Sequence, residues 1–358
     1  MPATADLHAM GQSIWLDNIT REMLNDGTIA GFIETMSVTG LTSNPSIFQK
    51  AIAGSHEYDD SIRKHMEAGL SGDELFFELA IEDLRRACDL FAPIHESTNG
   101  LDGWCSLEVS PLLANDTHST IEQAKKLHAK ADRKNLYIKV PGTPEGAPAI
   151  EELTFAGIPV NVTLIFSVEH YHRAAEAYTK GLERRLEAGL DVTGCSVASL
   201  FISRWDVKTA PMLPDDLKDK NGLAIGGACY KAYVDWHASD RWKALEAKGA
   251  LRQRLLFAST GTKDPALSDY LYVSGLAAPD TVNTMPDKTL KAFFDHGSLD
   301  GPLPGDGAPS LAMLEKIAAA GVDLHKAGEE LQVEGAQKFD ESWHSLLADI
   351  ASKTAALA

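Results

Sequence analysis

The sequence predicts an α/β fold, a (β/α)8 TIM barrel with additional helices between strands 2 and 3 and at the C-terminus. Short apolar or β-branched runs alternate with longer helical patterns, which indicates parallel strands joined by helical crossovers. About eight such units are present, the number that closes a barrel. A doubly wound sheet is the alternative, but the first strand runs into LDNITR (16–21), without the glycine-rich loop typical of that fold.

The strands are predicted from short runs rich in apolar and β-branched residues. Seven runs are assigned directly, whereas the eighth strand is either 270–275 (YLYVSG) or 280–285 (DTVNTM). The seven runs are 12–17, 37–42, 103–109, 135–140, 158–165, 196–202 and 254–259. The long interval between the second and third strands has room for extra helices.

Helices are predicted between the strands from apolar residues at three- and four-residue spacing, as in 72–91. Thr20 and Ser167 have the side chains of N-caps for two of these helices. After a Gly/Pro-rich linker at 297–309, residues 310–355 predict two or three helices packed outside the barrel. We expect one barrel domain over residues 1–358, with 310–358 as C-terminal helices packed on it.

The composition is that of a globular protein, with 44% hydrophobic and 23% charged residues and a formal net charge of −18. Because an acidic surface repels nucleic acid and anionic membranes, we expect neither as a partner. No signal sequence or apolar run long enough to span a bilayer is visible. We expect a cytoplasmic protein that is a monomer or homodimer.

No metal or cofactor site is predicted. The four cysteines lie far apart, without the spacing of a zinc site or a disulfide framework. His170 and His172 begin a predicted helix, where residues two apart do not share a face. We therefore expect these two to be exposed histidines rather than a metal pair.

Polar side chains occur in or just after the predicted strands, at the barrel end where chemistry takes place in this fold. They are Asp17, Thr42, Asn44, Glu108, Lys139, Thr163, Ser199, Arg204, Ser259 and Lys263. Taken singly, Asp17 and Asn44 suit turns or helix caps, and Thr163 is a normal strand residue. Arg204 and Lys263 are typical surface charges when considered alone. Their predicted meeting at one end of a barrel favours a functional site.

Lys139 carries the chemical argument because it interrupts the apolar strand LYIKV (136–140). Glu108 interrupts the preceding strand in the same way, and charged side chains are rarely buried unless they are paired. A dry barrel interior favours a neutral amine over an ammonium group, and a neutral lysine attacks a ketone to form a Schiff base. The iminium is an electron sink that allows the adjacent carbon–carbon bond to break without a metal.

Schiff-base chemistry also needs proton transfer. Glu108, on the neighbouring strand, is placed to move protons through a water molecule, and Thr163 is placed to orient that water. Asp17 is placed to take the proton of the substrate hydroxyl as the carbon–carbon bond breaks.

The stretches GLTSNPSIF (40–48) and LYIKVPGTPEG (136–146) resemble the two signature sequences of transaldolases. Further segments resemble that family in the same order, so the resemblance covers nearly the whole chain and is closest to the longer bacterial subfamily. They are SIWLDNITRE, SLEVSP, NVTLIFS, ASLFISRWD, LFASTGTKDP and PDTVNTMPDKTL. The resemblance implies a cofactor-free barrel of the pentose phosphate pathway. Its substrates are phosphorylated sugars, with a dihydroxyacetone unit passing from sedoheptulose 7-phosphate to glyceraldehyde 3-phosphate.

The resemblance also implies roles for the matched residues. Lys139 falls on the Schiff-base lysine, Asp17 on the catalytic aspartate and Glu108 on the glutamate that handles water. Thr163 falls on the threonine that orients this water.

The substrate-binding positions match with one departure. The contacts to substrate hydroxyls fall on Thr42, Asn44 and Ser199. The phosphate-binding arginine falls on Arg204. Many members carry a second arginine two residues after the serine at Ser259, where this chain has Gly261, and we expect Lys263 to supply the charge.

Two alternatives to transfer are open. Related barrels cleave fructose 6-phosphate and release dihydroxyacetone, but they tend to be shorter and to lack the glutamate of the third strand, so Glu108 favours transfer. A barrel that only binds phosphosugars is the second alternative, and the filled catalytic positions disfavour it.

Overall fold

The eight predicted strands are present in the computed structural model, which describes residues 2–192 and 194–358. The strands are β1 Ser13–Leu16, β2 Val38–Leu41, β3 Cys105–Glu108, β4 Leu136–Pro141, β5 Val160–Ile165, β6 Ser196–Phe201, β7 Gln253–Ala258 and β8 Val282–Met285. They are fully buried runs, as expected of parallel strands covered by helices.

The strands pair in parallel in the order β2-β1-β8-β7-β6-β5-β4-β3. Backbone hydrogen bonds join the two ends of this sheet, from Gly103 N to Thr39 O at 3.0 Å and from Leu41 N to Trp104 O at 2.9 Å. Gly40 permits the close approach there, since a Cβ would lie 2.7 Å from both the Trp104 oxygen and the Trp15 indole nitrogen. The sheet is therefore a (β/α)8 barrel, which confirms the prediction and excludes the doubly wound alternative.

The eighth strand is the second of the two predicted candidates. Val282 pairs with Ser13 of β1 on one side and with Leu256 of β7 on the other. The rival segment forms a short helix, Leu271–Ser274. It is anchored outside the sheet by the Tyr272 hydroxyl, which donates to Asp206 at 2.7 Å.

Helices surround the barrel, with extra ones between β2 and β3 and after β8, as predicted, and others before β1 and between β6 and β7. They are α1 Ala3–Ala9, α2 Arg21–Asn25, α3 Thr28–Met36, α4 Pro45–Gly54, α5 Asp59–Glu67, α6 Gly72–Ser97, α7 Thr117–Ala131, α8 Gly146–Phe155, α9 Val168–Glu187, α10 Ser203–Thr209, α11 Asn221–Ala238, α12 Asp240–Glu246, α13 Leu271–Ser274, α14 Asp287–His296, α15 Ala308–Ala319 and α16 Leu324–Leu357. The predicted N-caps are confirmed, because Thr20 accepts from Met23 N and Ser167 from His170 N, each at 3.1 Å.

The last helix, α16, differs from a helix packed simply outside the barrel. It contacts α4, α5, α6 and α10 and reaches β5, whereas α15 packs against α11. With 34 residues it extends about 51 Å, enough to cross the carboxyl-terminal end of the barrel. It brings Lys338, Phe339 and Ser342 to the cavity at that end.

The expectation for His170 is wrong, and α16 is the reason. His170 is completely buried, with Nε2 2.8 Å from Glu329 on α16, whereas His172 is exposed as expected. Gln332, one turn further along α16, donates to the Leu164 and Gly142 carbonyls at 2.8 and 3.2 Å. These contacts attach the helix to β5 and to the start of α9.

Among the described residues, no helix combines the length and the apolar character that crossing a membrane requires.

Candidate active site

A cavity of about 170 Å³ lies at the carboxyl ends of the strands. Its walls are formed by Asp17, Thr42, Asn44, Ser46, Lys139, Asn161, Thr163, Ser199, Phe201, Arg204, Ala258, Ser259, Thr284, Lys338, Phe339 and Ser342. Eight of the ten residues predicted from the sequence are in this set. Of the other two, Glu108 contacts Lys139 and Lys263 lines an adjoining cavity.

The strand register explains why the central polar residues meet. Glu108 on β3 pairs with Lys139 on β4, and Lys139 pairs with Asn161 on β5. The three side chains therefore lie at one level of the barrel, and each interrupts an apolar strand.

Lys139 is buried, and its amine makes two hydrogen bonds. Its Nζ donates to the Ser43 carbonyl at 2.7 Å and to Glu108 Oε2 at 3.2 Å, and the two charged side chains are 8% and 9% exposed. Burial raises the pKa of Glu108, while the positive charge and hydrogen bond of Lys139 oppose this rise. A carboxyl group with a raised pKa exchanges protons closer to neutral pH, as a general acid–base must.

Asp17 follows β1 and is held by a hydroxyl group. Thr42 Oγ1 donates to Asp17 Oδ1 at 2.8 Å and lies 2.7 Å from Thr284 Oγ1. Burial raises the pKa of Asp17, and the Thr42 hydrogen bond and the charges of Lys139 and Lys263 oppose this rise. The structure thus joins Thr42, predicted as a substrate contact, to the carboxyl group that it orients.

Thr163 lies at an irregularity in β5. The register with β6 shifts between Val162 and Ile165, and Leu164 has a φ of 59°, in the left-handed region. Thr163 Oγ1 is buried and has no hydrogen-bond partner among the described residues. A small hollow bordered by Glu108 and Thr163 has an otherwise apolar lining that includes Val109, Pro141 and Phe339.

Asn161 is a site residue that the sequence reasoning missed. Its Oδ1 accepts from Ser199 Oγ at 2.7 Å, and its Nδ2 donates to Ser106 Oγ at 3.2 Å. The signal was present, because Asn161 precedes Thr163 by two residues, and alternate residues of a strand share a face.

Asn44 caps a helix, which is one of its expected roles. Its Oδ1 caps α4 by accepting from Ile47 N at 3.0 Å and also accepts from Ser46 Oγ at 2.7 Å. The amide oxygen is used in the helix cap. The amide nitrogen is therefore the group that is left to bind a ligand in the cavity, as a hydrogen-bond donor.

A second cavity of about 630 Å³ adjoins the first. The two share Arg204, Ser259 and Lys338, and Lys263 lines the second. The Arg204 guanidinium lies over the Phe201 and Phe339 rings, 4.8 and 5.8 Å from their centroids. Burial lowers the pKa of Arg204. The two rings pack against the guanidinium, which lies where the two cavities adjoin.

In the part of the chain that the structure describes, no group of three or more His, Cys, Asp or Glu side chains is arranged to hold a metal ion. The groups that line or adjoin the cavity are an amine, two carboxyl groups with raised pKa values, hydroxyl groups and cations.

Comparison with known proteins agrees with this geometry. The model of the transaldolase/fructose-6-phosphate aldolase family matches residues 14–350. A transaldolase of Neisseria gonorrhoeae is 44% identical over 98% of this chain and 100% of its own length. Transaldolases of Mycolicibacterium smegmatis and Acidothermus cellulolyticus are 45% and 44% identical over 97% of this chain, covering 96% and 95% of their own lengths. The chain belongs to the transaldolase/fructose-6-phosphate aldolase family.

Proposed function

We propose that this enzyme transfers a dihydroxyacetone unit from sedoheptulose 7-phosphate to glyceraldehyde 3-phosphate through a Schiff base on Lys139. The products are erythrose 4-phosphate and fructose 6-phosphate. The observation that carries the proposal is the Lys139 amine, which lines the cavity from within an apolar strand and contacts Glu108 at 3.2 Å. The curated relatives named transaldolase support the same reaction.

The first step needs an uncharged amine. Movement of a proton from Lys139 to Glu108, across their 3.2 Å contact, leaves a neutral amine beside a carboxylic acid. The raised pKa of Glu108 favours this distribution. The nitrogen lone pair then attacks the ketone carbon C2, and the carbonyl oxygen takes a proton that Glu108 supplies.

Loss of water from the carbinolamine gives the iminium. The attacking nitrogen gives a proton back to Glu108, which passes it to the departing hydroxyl by way of a water molecule that we place beside Thr163, at the wall of the main cavity. The unpartnered Thr163 hydroxyl group supports this placement, since it has hydrogen-bonding capacity that no described residue uses.

Cleavage and transfer follow. Asp17 takes the proton of the C4 hydroxyl, the electrons of the C3–C4 bond move into the iminium, and the aldose leaves with a new carbonyl group. The remaining enamine attacks the carbonyl carbon of the acceptor, Asp17 returns the proton, and hydrolysis frees Lys139. The Thr42 hydrogen bond to Asp17 keeps this carboxyl group facing the cavity.

Substrate hydroxyls would meet Ser199, Asn44 and Thr42, which line the cavity around Lys139. Arg204 and Ser259 line both cavities, and Lys263 lines the second. We assign these three to the phosphate end of the substrate.

Borohydride trapping tests the covalent step. Reduction in the presence of fructose 6-phosphate should leave a reduced adduct on the peptide that contains Lys139, detected by mass spectrometry. Lys139→Met should abolish the adduct, and Lys134→Met, which changes an exposed lysine five residues earlier, should not. An adduct mapped to any other lysine contradicts the assignment.

Omitting the acceptor tests transfer against cleavage. With fructose 6-phosphate alone, a transferase should release dihydroxyacetone much more slowly than it forms sedoheptulose 7-phosphate when erythrose 4-phosphate is added. Comparable rates would favour the aldolase alternative, and no reaction in either assay would favour a barrel that only binds phosphosugars.

A further inference from the structure

Three cations in the adjoining cavities lack carboxylate partners. Arg204, Lys263 and Lys338 form no ion pair within residues 2–192 and 194–358, whereas Lys208 in the same cavity pairs with Glu330 and Glu334 at 2.8 and 2.7 Å. The chain has a net charge of −18, so most of its surface offers carboxylates to a lysine. Unpaired cations gathered in one cavity are typical of a site for an anion.

We propose that Lys338 of α16 is a ligand of the substrate phosphate, facing Arg204 and Lys263, so that the C-terminal helix completes the binding site. The inference rests on the proposed function, because it names a further ligand of the same substrate. Neither the local sequence around Lys338 nor its position 199 residues after Lys139 indicates this role.

The face that α16 presents to the cavities supports this placement. Leu331, Gly335, Lys338, Phe339 and Ser342 recur at three- and four-residue steps and line one or both cavities, together with Glu334, whose charge acts on Arg204. They therefore form one continuous side of the helix, and Lys338 lies in the middle of it.

Arg204 approaches this face closely. A Cβ at Gly335 would lie 3.1 Å from Arg204 Nη1, so the helix comes near the guanidinium at a residue without a side chain. Nη1 is buried and without a hydrogen-bond partner among the described residues. Arg204 lines both cavities together with Lys338, so a phosphate oxygen held between the two side chains would accept a hydrogen bond from the guanidinium.

The opposite wall of the site explains why a further cation is needed. Gly261, in the loop after β7, has no side chain to offer, and a Cβ there would lie 3.2 Å from Pro286 Cγ. This crowding disfavours a long side chain at 261. Lys263 supplies charge from the same loop, close enough to oppose the rise in the pKa of Asp17, and Lys338 supplies it from the other side.

Lys338→Met tests the inference, since the exposed side chain can change without disturbing the core. The dissociation constant for inorganic phosphate, measured by calorimetry, and the KM for fructose 6-phosphate should each rise about tenfold, the loss expected for one charged hydrogen bond. Lys338→Arg should restore most of the affinity. Lys326→Met, which removes an exposed charge from the same helix, is the matched control and should change neither value.

A KM for fructose 6-phosphate in Lys338→Met that matches the wild-type value overturns the inference. The KM for fructose 6-phosphate should rise more in this variant than the KM for unphosphorylated fructose, and an equal loss for both sugars would point to a general disturbance and overturn the inference. Borohydride trapping with dihydroxyacetone separates the two proposals: no adduct on Lys139 of the wild-type enzyme defeats the proposed function. An adduct together with an unchanged KM defeats the role of Lys338 alone.

Discussion

The barrel buries an ion pair at each end, and the two are built differently. At the amino-terminal end, Asp102 accepts hydrogen bonds from Ser13, from Trp15 Nε1 at 2.8 Å and from Gly103 N at 3.0 Å. Its ion-pair partner is Arg254, whose Nη2 lies 3.7 Å from Asp102 Oδ1. Arg254 also donates to Ser13 Oγ at 2.7 Å and to the Leu101 carbonyl at 2.9 Å. This carboxylate is surrounded by fixed donors.

At the carboxyl-terminal end, Lys139 is the main partner of Glu108, and the pair adjoins cavities with uncommitted groups. Breaking a buried pair costs stability when the remaining charge has no means of relief. Glu108 has such a means because its pKa is already raised by burial, and it can take up a proton. The comparison indicates that the amino-terminal pair holds the barrel together, whereas the carboxyl-terminal pair is available for proton transfer.

The largest effect should come from Lys139→Met. Removing the proposed nucleophile should lower kcat by about 10⁴-fold or more, as removal of covalent nucleophiles does elsewhere. The free energy of unfolding should change little, because Glu108 can be neutralised by a proton. Turnover and urea denaturation of the same preparation check both parts. A stable variant with near-normal turnover would show that Lys139 is not the nucleophile and that the carboxyl-terminal pair has no catalytic role.

Glu108→Gln should have the next largest effect. The variant keeps the shape of the side chain but cannot exchange protons, so turnover should fall about 10²- to 10⁴-fold. Borohydride should still trap an adduct on Lys139, although more slowly. If turnover is unchanged, Glu108 has no part in the mechanism. The ion pairs at both ends of the barrel would then be structural.

Arg254→Met should have the opposite consequences, lowering stability while leaving turnover nearly unchanged. Asp102 would remain buried without its cation, and the free energy of unfolding should fall by about 3–5 kcal/mol. The kcat of the folded fraction should stay within about twofold of wild type, since no proposed site residue is touched. A large loss of kcat with unchanged stability would contradict the structural role of the amino-terminal pair.

The sequence predicts the polar residues at the carboxyl-terminal end of the barrel better than it predicts the eighth strand and the docking of α16. Lys139 and Glu108 stand out because a charge within an apolar strand needs a partner, and neighbouring parallel strands supply one. The eighth strand stayed ambiguous because 270–275 and 280–285 are both short apolar runs, and only pairing with β1 and β7 distinguishes them. The burial of His170 and the cavity face of α16 depend on where a distant helix docks, which no local pattern encodes.

Asp17→Asn should have a small effect on stability, and the size of that effect depends on pH. Burial raises the pKa of Asp17 in the folded state, so the folded protein holds this proton more tightly than the unfolded chain does. The stability that this provides is complete below the ordinary carboxyl pKa and is lost as pH rises through the raised value. At neutral pH the ionised Asp17 therefore costs stability, and Asp17→Asn should melt at a higher temperature than the wild type while losing turnover.

This gain should shrink as the pH falls, and near the ordinary carboxyl range the two proteins should melt together. Thermal melts across this pH range check the sign, with Asp300→Asn on the exposed linker as a control that should show no such trend. A variant that is less stable at neutral pH would mean that the Thr42 hydrogen bond and the nearby lysines outweigh the cost of burying Asp17. In that case the carboxyl-terminal end would hold its charges as firmly as the Asp102 pair does, and the distinction between the two ends would fail.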